Sequence, residues 1–189
     1  MESSTDVSVQ PRRRHTALAI ALGLGVVVAV LMVVLATREP GRNTFADSPL
    51  LGNVAPPLRG PTLDGGEFDL DDQRGRWVVV NFFATWCVPC RQEHPELVSF
   101  ARRHAQVGDA SVVTAIYDDD PEAVREFFDR HGGDWPIVSG DTGQIALEWG
   151  VAGVPESYLV DPLGFVRYKV IGGVTATGLD RALEQLQGR

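Results

Sequence analysis

Hydrophobic positions along the chain come first as one unbroken block and afterwards as short runs separated by polar turns. The block is ALAIALGLGVVVAVLMVVLA, Ala17 to Ala36, twenty residues without a charge. As a helix it would be about 30 Å long, the thickness of a bilayer's hydrocarbon core, so it predicts a transmembrane helix. Arg12, Arg13, Arg14 and His15 precede it, whereas Arg38 and Arg42 beyond it are spaced out and accompanied by Glu39. The positive-inside bias then puts the amino terminus in the cytoplasm and everything after Ala36 outside, as a single-pass protein of the cell membrane. A cleaved secretory signal is the competing reading, since Val34 and Ala36 are small enough for a peptidase site. Twenty apolar residues exceed the roughly 7 to 15 of a signal's apolar region, which favours a retained anchor. Both readings export the rest of the chain.

Thr37 to Gly52, TREPGRNTFADSPLLG, is rich in Pro, Gly and small polar residues without helical or strand period, and reads as a linker. Beyond it, Leu63, Asp64-Gly65-Gly66 and Phe68 to Leu70 resemble a hairpin. Trp77 to Ala84, WVVVNFFA, is a continuous apolar run of strand length, as expected for a strand covered on both faces. Pro89 suits the first turn of a helix whose buried face carries Leu97, Val98, Phe100 and Ala101. A strand over Ser111 to Tyr117 and a helix over Glu122 to His131 follow. Next come a short apolar piece at Ile137-Val138, a short helix from Gln144 to Trp149, strands Ser157 to Val160 and Phe165 to Ile171, and a closing helix from Thr177 to Leu186. The order predicts an α/β layered domain with a mixed sheet flanked by helices. The expected division is a cytoplasmic tail over 1–16, an anchor over 17–36, a linker over 37–52 and one domain over 53–189.

Composition changes this picture little. Residues 1 to 44 hold five arginines against three acidic residues, which leaves 12 basic and 22 acidic residues beyond, a net charge of −10 on the exported part. Nucleic acid is a poor partner for such a surface.

The candidate chemistry is Trp86-Cys87-Val88-Pro89-Cys90, which holds the chain's two cysteines at the junction of a buried strand and a helix. At a helix start the amides and the dipole stabilise a thiolate on the first sulfur, while the second lies one turn in, within bonding reach. These are the requirements of disulfide exchange, with Cys87 as nucleophile and Cys90 as resolving thiol, and no cofactor is called for. An inert structural disulfide is the bland reading, but a bridge over so short a loop removes little chain entropy. A metal site with His94 as third ligand lacks further ligands, because His15, His104 and His131 show no suitable spacing. A single-thiolate peroxidase is the rival enzyme. The peroxiredoxin motif resembles Pro-x-x-x-Thr/Ser-x-x-Cys, and here Val80 and Ala84 take the proline and hydroxyl positions.

With these residues in place the chain resembles the thioredoxin-like proteins of cytochrome c maturation, the group containing CcmG (also called DsbE), ResA and TlpA. The likeness covers about Val54 to Arg189. It rests on Val80-Asn81-Phe82-Phe83-Ala84-Thr85-Trp86-Cys87, on Cys90-Arg91-Gln92-Glu93-His94-Pro95, and on Gly150 to Asp161, GVAGVPESYLVD. It implies a thioredoxin-like fold and a cis bond before Pro155 lying against the active-site disulfide. It implies substrate binding by Trp86, Val154, Pro155 and Glu156, and a role for Glu93 beside the thiols, where a carboxylate would raise thiol pKa or carry protons for Cys90. The implied activity is reduction of the Cys-x-x-Cys-His disulfide of apocytochrome c, with recharging by a membrane electron carrier of the CcdA or DsbD type. A general extracytoplasmic thiol-disulfide oxidoreductase or oxidant is the alternative. A non-catalytic thioredoxin-like binding module that holds a partner chain at the Pro155 region is a third reading.

Overall fold

The computed structural model describes residues 13–37 and 44–188, in two compact units that divide at Pro40 and Gly41. In the first unit, α1 runs Arg13–Thr37 and contains the whole apolar block. Its described side chains, Ile20 to Val33, are exposed, and among the described residues no helix is long and apolar enough to cross a membrane. Most of the expected cytoplasmic tail, residues 1–12, and residues 38–43 of the expected linker lie outside the described residues.

In the second unit the strands are β1 Thr44–Phe45, β2 Arg59–Pro61, β3 Glu67–Asp69, β4 Trp77–Phe83, β5 Ala110–Ile116, β6 Ile137–Val138, β7 Glu156–Val160 and β8 Val166–Ile171. The helices are α2 Val88–Val107, α3 Pro121–His131, α4 Thr142–Glu148 and α5 Ala176–Gln187. A six-stranded sheet has the order β1-β8-β7-β4-β5-β6, with β4, β5 and β6 parallel and β7, β8 and β1 antiparallel. This is the mixed α/β sheet that the spacing of runs predicts. β2 and β3 pair separately.

The run of β4, apolar except at Asn81, follows from its central place, because alternate side chains must enter opposite layers. Val78, Val80 and Phe82 pack with Leu58, Phe68, Trp149 and Tyr158 on one face. Trp77 and Val79 pack with Leu97, Phe100, Leu179 and Leu183 on the other. Each such fully buried aliphatic or aromatic side chain contributes roughly 1.5–3 kcal/mol relative to exposure. Phe83, at the end of the strand, joins a third cluster with Cys87, Cys90, Phe127 and Phe128, which carries the core up to the cysteines.

Two expectations are corrected. The hairpin turns at Asp64-Gly65-Gly66 as expected, but its strands are Arg59–Pro61 and Glu67–Asp69, and Leu70 opens a 3-10 turn, Leu70–Gln73, capped by the Asp69 side chain. The stretch read as a free linker ends in structure, since Thr44 and Phe45 pair with Ile171 and Val170 of β8 and the Gly52 amide donates to the Val166 carbonyl. A two-residue strand is too short to leave a period in the sequence, and its register comes wholly from the edge it joins.

Candidate active site

Between β4 and α2 the backbone is held from both sides. The Thr85 amide and hydroxyl both donate to Asp119 Oδ2, at 2.5 and 2.7 Å, from the loop that follows β5. Cys87 is the N-cap of α2, and its Sγ accepts from the Cys90 amide at 3.1 Å. Pro89 sits in the first turn, where its missing N–H leaves no intrahelical partner unsatisfied. The two sulfurs are joined as a disulfide. Cys90 is fully buried among Phe83, Ile116, Val124 and Phe127, while Cys87 keeps a small exposed surface. Trp86 beside it is 57% exposed, its Nε1 donating to the Asp118 carbonyl at 2.9 Å.

The Val154–Pro155 bond is cis, as the resemblance implies, and Val154 packs against the cluster that contains both cysteines. Among the described residues the Val154 amide and carbonyl take no hydrogen-bond partner. Val154 and the two cysteines, up to 67 positions apart in sequence, therefore lie in one cluster, with Trp86 and Pro155 next to them in the chain.

Glu93 lies one turn beyond Cys90 on α2 and is only 3% exposed. Its Oε1 accepts from Asn81 Nδ2 at 2.9 Å and its Oε2 from the Val174 amide at 2.8 Å. Burial is the dominant cause that pushes its pKa up to about 7, against the lowering effect of these two donors. A carboxyl that titrates near neutrality within the core is suited to exchanging a proton with a thiol. Asn81 was not singled out by the sequence reading, although one amide in the middle of a buried apolar strand is itself a signal. Its Nδ2 also donates to Ser157 Oγ at 3.1 Å, while its Oδ1 is buried without a partner.

His94, the neighbour of Glu93, is enclosed by Phe83, Phe127, Phe128 and Trp135, with Nε2 at 2.8 Å from the Gly132 carbonyl. Desolvation holds its pKa below the ordinary value. Among the described residues no group of three or more His, Cys, Asp or Glu side chains could hold a metal ion.

The resemblance implies a substrate-binding Glu156, and the structure buries its side chain. Its Oε2 pairs with Lys169 Nζ at 2.8 Å and its Oε1 accepts from the Ala152 amide at 3.2 Å. Lys169 also donates to the Gly150 carbonyl at 3.0 Å, and the Tyr158 hydroxyl donates to the Trp149 carbonyl at 2.6 Å. Burial and the adjacent Glu156 charge raise the Tyr158 pKa, which keeps the phenol protonated as a donor. Side chains of β7 and β8 thus hold the Trp149 to Ala152 backbone that leads to Pro155, and Glu156 supports that loop from behind. Lys169 was missed because a lone lysine in a strand normally reads as an exposed position.

Comparison with known proteins agrees with this geometry. The pattern of the AhpC/TSA family matches residues 51–169. The thiol:disulfide interchange protein CycY of Rhizobium leguminosarum bv. viciae is 36% identical over 121 residues, which are 61% of this chain and 63% of CycY, just under two thirds of its length. HelX of Rhodobacter capsulatus, likewise a thiol:disulfide interchange protein, is 32% identical over 72% of this chain and 77% of its own. The crystal structure of a thioredoxin-family thiol:disulfide interchange protein from Chlorobium tepidum TLS is similar with a TM-score of 0.65 at 26% identity, over 74% of this chain and 98% of that one. The chain therefore belongs to the AhpC/TSA family and, within it, to the thioredoxin-like thiol-disulfide oxidoreductases.

Proposed function

We propose that this protein is a membrane-anchored, extracytoplasmic protein-disulfide reductase that reduces the Cys-x-x-Cys-His disulfide of apocytochrome c. The observation that carries the reading is the placement of Cys87 at the start of α2 with buried Glu93 one turn beyond Cys90. In the reduced protein the Cys87 thiolate attacks one sulfur of the substrate disulfide, forming a mixed disulfide and releasing one substrate thiolate, which takes a proton from solvent. Cys90 then gives its proton to the Glu93 carboxylate and attacks Cys87 Sγ, which releases the second substrate sulfur as a thiolate that takes up that proton from Glu93 by way of solvent. The protein ends as the Cys87–Cys90 disulfide and the substrate as a dithiol, two electrons having passed between them, with one proton supplied by Cys90 and one by solvent. A membrane dithiol carrier of the CcdA or DsbD type returns the two electrons.

The charge-free block Ala17 to Ala36 and the arginines before it support the anchor. Tethering raises the effective concentration of the domain near a membrane partner, which favours exchange with one dedicated carrier. Peroxide reduction finds less support despite the family's breadth. Val80 and Ala84, where the peroxidase motif has proline and a hydroxyl, are both fully buried and apolar.

The test is direct reduction in vitro. Full-length protein in detergent micelles, reduced beforehand, is mixed with an oxidised peptide containing Cys-x-x-Cys-His, and free peptide thiol is measured. Stoichiometric reduction, lost in Cys87→Ser, is the expected result; an unchanged peptide disulfide overturns the reading.

A further inference from the structure

Beside the disulfide, on the side formed by α2 and α3, lies an open groove of about 550 Å³ lined by Thr85, Arg91, Glu126, Phe127, Arg130 and His131. Its charge runs opposite to that of a domain carrying −10, because two arginines among its lining residues face one carboxylate. Arg91 stands in the second turn of α2, near the helix end whose dipole disfavours a cation, and no acidic residue occupies the first turn to offset it. Among the described residues its guanidinium forms no hydrogen bond or ion pair. Arg130 and His131 occupy the last turn of α3, where cations are ordinarily at home. Arg130 Nε donates to the Glu126 carbonyl, His131 Nδ1 bonds that of Phe127, and the Gly132 amide donates to that of Phe128. Glu126 answers the positive charge weakly, at 3.5 Å from Arg130 and with both side chains about two-thirds exposed.

We propose that this groove binds carboxylate side chains of the substrate polypeptide, so that the protein prefers disulfides flanked by acidic residues. The inference rests on the exchange function proposed above and names a substrate feature for it. Position supports it. Thr85 is two residues from Cys87, a span of about 7 Å at most, and Arg91 directly follows Cys90. An extended chain advances about 3.3 Å per residue, so a polypeptide bonded to Cys87 would bring side chains two to four positions from its own cysteine over the groove. Trp86 and Val154 take the apolar part of that chain next to the sulfur, and the groove reads charge further along. The surrounding acidic surface repels a uniformly negative partner, so the groove acts on local sequence and on orientation.

The experiment uses full-length reduced protein in detergent micelles and two cyclic peptides with the same Cys-x-x-Cys disulfide. In one peptide the positions two to four residues outside the cysteines are Asp and Glu, in the other Asn and Gln. At low salt the acidic peptide is opened about fivefold faster, as expected from two exposed charge pairs. The ratio falls toward one near 1 M salt, where the screening length is about 3 Å. Arg130→Glu removes the preference while leaving the rate on the neutral peptide unchanged, and Arg91→Glu provides an independent check from the other helix. Equal rates on both peptides, or a preference that survives both substitutions, overturn the proposal while leaving disulfide exchange intact. An equal loss on both peptides in Arg91→Glu also overturns it, since Arg91 would then act on the thiols themselves. If neither peptide is opened, the exchange function fails and this inference with it.

Discussion

Asn81 Nδ2 donates to Glu93 Oε1 across 2.9 Å inside the core, which joins the central strand to the helix that carries both cysteines. The amide favours the ionised carboxylate and burial opposes it, and the balance leaves Glu93 titrating near pH 7. Glu93→Gln keeps the shape and removes the proton acceptor. Its rate of release from the mixed disulfide should fall about a hundredfold at pH 7, and the inflection near neutrality should vanish from the pH–rate profile. Stopped-flow measurement from pH 5 to 9 checks this, and an unchanged inflection would assign the titration to another group.

The same carboxyl affects stability. Its folded pKa of about 7 exceeds the ordinary 4.5, so between these values the native state holds a proton that the unfolded chain has released. Its contribution is therefore greatest below pH 4.5 and declines as pH rises to 7, on the order of 3 kcal/mol in total. His94 acts in the opposite sense, since its lowered pKa costs stability as pH falls below about 6.5. Urea unfolding of wild type and Glu93→Gln at matched pH cancels the His94 contribution. The wild-type advantage should shrink from pH 4.5 to 7 and stay level above.

Much of this was legible in the sequence, for identifiable reasons. The β4 run, the Cys-x-x-Cys spacing and Pro89 are local features whose consequences follow within a few residues. Glu93 is implied only by the resemblance, and its burial depends on Asn81 and Val174, 12 and 81 residues away. Glu156 was misplaced for the same reason: its partner Lys169 belongs to another strand, and only the β7–β8 register brings them together. β1 escaped notice because a two-residue strand is defined by the edge it joins.

Asn81→Leu should shift the pH–rate inflection upward by about one unit, because the ionised carboxylate loses a charge-assisted hydrogen bond. The Val174 amide continues to hold the other oxygen, so the fold is retained. A downward shift would mean that Asn81 does not stabilise the ionised form.

Lys169→Met leaves Glu156 buried without its cation and should cost about 3–5 kcal/mol in urea unfolding. Adding Glu156→Gln should recover most of that loss, because the uncompensated charge is removed. If the double variant is as unstable as the single one, the ion pair is not the source of the effect.

The central claim is that Cys87 attacks a protein disulfide and Cys90 resolves the product. The most direct measurement is a trap: Cys90→Ala expressed in the native membrane, followed by mass spectrometry of whatever is disulfide-bonded to Cys87. The account predicts mixed disulfides with apocytochrome c peptides and with a membrane dithiol carrier, absent when Cys87 is also changed to Ser. Recovery of no Cys87-linked partner would contradict it.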